Sequence, residues 1–134
     1  MEMNTTIVKA VLSGVTNPFS MTENVDGYVD YVKTARTIIL DAIADAIYAT
    51  MEEGIEEDSC YTTIVLNCIY DELDAIVEMA KVKHPTIKEG ERIRRCWDNL
   101  DKLSSILDIV TDDSKTVEQQ KEAVNIAQML LIVD

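Results

Sequence analysis

Apolar residues return every three or four positions along nearly the whole chain, and only four glycines and two prolines interrupt its 134 residues. This spacing follows the helical period of about 3.6 residues, and no segment alternates at the strand period of two. Each segment therefore has one apolar side to bury, and other helices are what can cover it. Apolar residues make up 47% of the chain, enough for a core that needs no disulfide or metal to hold it. The expected fold is all-α, a single domain over residues 1–134. It has four long antiparallel helices in a bundle plus a short N-terminal helix.

Breakers and caps divide the pattern into five. The first helix is expected over about Thr5 to Ser13, with Ile7, Val8, Val11, Leu12 and Val15 on one side. Asn17-Pro18 ends it, because the residue ahead of a proline avoids the helical region. The second starts near Ser20 or Thr22, where Ser20 and Glu23 fit a capping box, and runs to about Glu57. Its stripe is Tyr28, Val32, Ala35, Ile39, Ala42, Ile43, Ala46, Ile47 and Met51. The third follows the N-cap residues Asp58-Ser59, carries Val65, Ile69, Leu73, Ile76 and Ala80, and ends before His84-Pro85. In the fourth, Pro85 opens the first turn and Thr86 with Glu89 forms a second capping box. Ile93, Cys96, Leu100, Leu103, Leu107 and Val110 then make a heptad seam. After Asp112-Asp113-Ser114, Thr116 and Gln119 cap the last helix, whose stripe is Val117, Val124, Ala127 and Leu131. Short connections place successive helices antiparallel, with the short first helix across one end.

The net charge of −13 repels nucleic-acid backbones and anionic lipid headgroups and favours a basic protein partner. No apolar run approaches the roughly 20 residues of a membrane span. Met1 to Val15 reads as neither a signal nor a transit peptide. Cys60, Cys68 and Cys96 are odd in number and no pair is spaced C-x-x-C, which points to reduced thiols and a cytoplasmic setting. Together with His84 they fall short of a zinc site, and no cofactor is expected.

Acidic side chains dominate the middle of the chain. Residues 22 to 58 hold ten acids against Lys33 and Arg36. At about 100° per residue, Asp41, Asp45, Tyr48, Glu52 and Glu56 fall in one stripe of the second helix. Asn67, Asp71, Asp74 and Glu78 form a similar row on the third. A turn near Asp58 would bring Asp71 level with Ala46, beside Asp45, and Asp74 level with Ile43, close to Asp41. Four carboxylates at one height could hold a divalent cation. Glu52-Glu53-Gly54-Ile55-Glu56 also matches the pattern E-E-x-x-E, and Asp71-Glu72-Leu73-Asp74 departs from E-x-x-D at its first position. In these residues the chain resembles the all-helical nucleotide pyrophosphohydrolases. The resemblance implies a magnesium-dependent hydrolase using Asp41, Asp45, Asp71 and Asp74, or Glu53 and Glu56. Yet each acidic row lies opposite the apolar stripe of its own helix, whereas a catalytic cluster in a bundle projects inward.

The fourth helix is closer to neutral. Arg94, Arg95 and Trp97 give a second candidate surface, since tryptophan beside arginine is a common hot-spot composition. A core tryptophan under arginine stems is the competing reading. Arginines meeting the acidic face of a second copy would give a homodimer. The expectation from charge and elimination is a small acidic protein–protein interaction module: an inhibitor, immunity or adaptor protein. Its acidic face would occupy a basic, nucleic-acid-binding site on its target, with no direct contact to nucleic acid or membrane. The metal-dependent hydrolase is the alternative.

Overall fold

A computed structural model describes residues 5–16, 25–52, 61–80, 87–112 and 114–130. They form five helices, α1 (Thr5–Thr16), α2 (Val25–Glu52), α3 (Tyr61–Ala80), α4 (Ile87–Val110) and α5 (Val117–Leu130). Among the described residues there is no strand, so the all-α reading holds. None of the described helices is long and apolar enough to cross a membrane. The caps expected from Ser20, Asp58, Ser59 and Thr86 lie outside the described residues.

The fifth helix starts as its sequence requires. The Thr116 backbone N–H donates to the Gln119 side-chain oxygen at 2.9 Å, and the Gln119 N–H donates to the Thr116 hydroxyl at 3.1 Å. This reciprocal pair satisfies two donors that a helix start leaves without partners. Just upstream, the Asp112 carboxylate accepts from the backbone and hydroxyl of Ser114 at 2.9 and 2.6 Å. Those bonds, above all the one from the hydroxyl, hold the carboxyl below the usual carboxylate range.

The helices close on one another in a definite order. α1 packs on α2 and α4, α2 on α3, and α3 on α4, so the four enclose one core. α5 lies against α3 and α4. α3 therefore meets three neighbours, and it buries Val65, Leu66, Cys68, Ile69, Leu73, Ile76 and Val77. Each fully buried Val, Leu or Ile contributes about 1.5–3 kcal/mol. The heptad seam of α4 is buried from Cys96 through Leu100, Leu103 and Leu107 to Val110, with Ile93 half-buried at its start.

Three details depart from the sequence reading. First, α1 lies lengthwise, not across one end. Val15 meets Tyr28 and Val11 meets Tyr31, so α1 runs antiparallel to the start of α2. That posture is what covers Val8, Leu12 and Val15 together. Second, α1 continues through Gly14 to Thr16. A Cβ on Gly14 would stand 2.1 Å from the Tyr31 hydroxyl oxygen, so the missing side chain makes room for an aromatic ring. Third, Ile7, Ile47 and Val117, each expected in an apolar stripe, are exposed.

Candidate functional site

Trp97 belongs to the interior side of the bundle. Its indole N–H donates to the Tyr28 hydroxyl at 2.9 Å, and that hydroxyl donates to the Val15 carbonyl at 2.9 Å. One chain of bonds thus ties α4 to α2 to α1. Burial pushes the Tyr28 hydroxyl up to about 12, against the opposing pull of the Trp97 hydrogen bond. Arg94, one turn before it, and Arg95 are exposed, but the tryptophan's polar edge is already engaged within the fold.

The outward face of α2 has an unusual composition. Positions 30, 33, 37, 40, 44, 47 and 48 lie within about a third of a turn of one another on the helical wheel, and all are exposed. In the first half of the helix this stripe is Asp30, Lys33 and Thr37. In the second half it becomes Leu40, Ala44, Ile47 and Tyr48. Leu40 is 48% exposed, Ile47 42% and Tyr48 60%. The inner side here is buried through Ile39, Ala42, Ile43 and Ala46. The second half of α2 is therefore apolar nearly all round, a pattern that ordinarily marks a helix covered on both sides. Asp41 and Asp45, both exposed, flank the outer apolar stripe. Sequence reading put Ile47 in the core and saw the acids first. The signal that separates the two stripes is the i, i+4, i+7, i+8 spacing of Leu40, Ala44, Ile47 and Tyr48.

The acidic row of α2 is thus Asp41, Asp45 and Tyr48 on an open face. The Glu52 side chain and Glu53 and Glu56 lie outside the described side chains. On α3, Asp71 and Glu78 are exposed and Asp74 is half-buried. The four-carboxylate cluster is corrected: Asp41, Asp45, Asp71 and Asp74 do not converge. Among the described residues no group of three or more His, Cys, Asp or Glu could hold a metal ion. Asp74 instead accepts a hydrogen bond from the Arg36 guanidinium at 2.5 Å. The reason is register. Asp74 sits beside Arg36, seven residues and about two turns before Ile43 on α2. A cation is already in place beside that carboxylate, and it belongs to the protein.

A second feature joins residues that the sequence kept apart. Asp71 and Glu78 of α3 and Arg95 of α4 line one cleft of about 370 Å³, together with Glu72, Arg92 and Asn99. Glu72 is only 6% exposed, and the Asn99 amide donates to its carboxylate at 3.4 Å. Partial desolvation and the neighbouring Asp74 charge raise the Asp71 carboxyl. The sequence reading missed Glu72, although its position was legible. It stands four residues from both Cys68 and Ile76, within the buried side of α3.

Comparison with protein-family models, with curated protein sequences and with solved structures gives no match.

Proposed function

We propose that this chain is a protein–protein interaction module that docks through the outward face of the second half of α2 onto a basic, apolar-centred surface of another protein. The observation that carries this reading is the switch along a single exposed stripe, from Asp30, Lys33 and Thr37 to Leu40, Ala44, Ile47 and Tyr48. Water gives no reason for the second composition, and burial against a partner does. Tyr48 and Ile47 supply an aromatic and aliphatic anchor of the kind that carries binding energy. Asp41 and Asp45 at its edge select a cationic rim and exclude an anionic one. The net charge of −13 adds long-range steering, which weakens as salt shortens the screening length to about 8 Å at physiological ionic strength. Such a module would act as an inhibitor or adaptor by covering a basic site on its target.

The test compares affinity capture by the wild-type chain, by Ile47→Ser/Tyr48→Ala and by Asp41→Asn/Asp45→Asn, after a melt confirms that all three fold alike. The expected result is a partner with a basic surface that the apolar variant loses and the amide variant retains only weakly. Equal recovery of the same partners by all three chains would remove this face from the function.

A further inference from the structure

We propose that the cleft between α3, α4 and α5 binds a short zwitterionic peptide, its ammonium group against the α3 carboxylates and its carboxylate against Arg92 and Arg95. The cleft's about 370 Å³ falls within the size range of small-ligand pockets. Its two walls are opposite in charge. α3 presents Asp71, Glu72 and Glu78, and α4 presents Arg92 and Arg95. The two arginines are three residues apart and so neighbours on one helix face. Among the described residues neither guanidinium makes an ion pair or a side-chain hydrogen bond. Ala75 and Met79 of α3 and Leu130 of α5 supply the apolar part of the lining.

This layout sets the ligand's dimensions. Packed helix axes stand about 8–10 Å apart, so a cation site on one helix and an anion site on the next are separated by several ångströms. An α-amino acid carries both charges on one carbon and bridges the walls only if the side chains lean toward each other. Two or three residues of extended chain span about 7–10 Å and reach both walls without that. A central apolar side chain then falls on Met79 and Leu130. Swinging the exposed arginines onto the carboxylates competes with the ligand, but such exposed pairs contribute only about 0–1 kcal/mol. A ligand that offers both counter-charges and an apolar body offsets that. The site is independent of the α2 face.

The experiment titrates the isotope-labelled full chain with glycyl-leucyl-glycine and follows amide resonances. Saturable shifts centred on Ala75, Met79 and Leu130 are expected. Acetylating the peptide's amine or amidating its carboxylate should each weaken binding about tenfold or more, since each removes a charge-assisted contact. In Arg92→Gln/Arg95→Gln, the amidated and free peptides should bind alike. The proposal is overturned by an absence of saturable shifts up to about 10 mM peptide, by shifts centred elsewhere, or by equal binding of free and capped peptides. The capped peptides keep the test decisive if the arginine variant fails to fold.

Discussion

Tyr28 and Tyr48 lie on the same helix, twenty residues apart, in opposite surroundings. The Tyr28 hydroxyl joins three helices and the ring is buried, whereas Tyr48 is 60% exposed. Twenty residues at about 100° each put the two rings on opposite sides of α2, and it is the Tyr28 side that faces α1. The twelve residues of α1 reach about 18 Å at 1.5 Å per residue. Starting level with Tyr28 at Val15, it has run out near Ile38. The outer stripe differs too, being polar beside the covered half and apolar beside the uncovered one. The lesson is a division of labour along one helix: the first half is committed to the fold, and the second half presents apolar area that the fold does not use.

The largest effect expected from this contrast is on stability. Tyr28→Ala should lower the unfolding free energy by about 3–5 kcal/mol, as truncation of a buried aromatic side chain does. Tyr48→Ala should change it by no more than about 0.5 kcal/mol. Urea unfolding of both variants measures the two numbers directly, and comparable losses would break the comparison.

A subtler change isolates the hydroxyl. Tyr28→Phe leaves the Trp97 N–H and the Val15 carbonyl without their shared partner, and should destabilise by about 1–3 kcal/mol. It should also alter the response to alkali. The folded chain holds the Tyr28 proton up to about 12, mainly through burial, against 10.0 for an unperturbed tyrosine. A group that binds its proton more tightly when folded contributes stability that is complete below the unfolded pKa and lost as pH rises through the folded one. Wild-type stability should therefore fall between pH 10 and about 12, and the Tyr28→Phe chain should show a shallower fall. Parallel curves would remove Tyr28 from the alkaline limb.

The inner side of the bundle was readable from the sequence because spacing alone decides it. Val32, Ala35, Ile39, Ala42, Ile43 and Ala46 are buried as the helical period requires, and Leu100, Leu103 and Leu107 follow the heptad. The Thr116–Gln119 cap was equally legible, being local. What depends on a neighbour's reach was not. Ile47 is one of several apolar residues in a stretch with apolar positions on two sides, and only the placement of the other described helices leaves it exposed. The carboxylate cluster failed on the register between α2 and α3, which periodicity does not set. The α3–α4 cleft escaped because Asp71, Glu78 and Arg95 are far apart in sequence and meet only when the helices pack.

A medium-sized effect sharpens the covered half of the comparison. Gly14→Ala places a methyl against the Tyr31 ring, whose hydroxyl donates to the Val11 carbonyl at 3.2 Å. Overpacking of this kind costs about 1–3 kcal/mol, offset by about 1 kcal/mol of helix propensity. A net loss near about 1 kcal/mol is expected by thermal or urea unfolding. In a Tyr31→Leu background the ring is gone, and the same substitution should become stabilising. If alanine stays unfavourable there, something other than the ring demands the glycine.

The smallest stability effect is the most informative about the open half. Leu40 and Ile47 sit on α2 with about half of their surface in water, so replacing them recovers little burial energy. Serine has slightly poorer helix propensity than leucine and about the same as isoleucine, a matter of a few tenths of a kcal/mol. Leu40→Ser/Ile47→Ser should therefore melt within about 0.5 kcal/mol of wild type while binding to a basic partner surface collapses. A stability loss well above about 1 kcal/mol would mean that another part of the chain covers this stripe. The apolar face would then belong to the fold and the two halves of α2 would be alike. A melt unchanged alongside lost binding leaves a partner as the reason those residues are there.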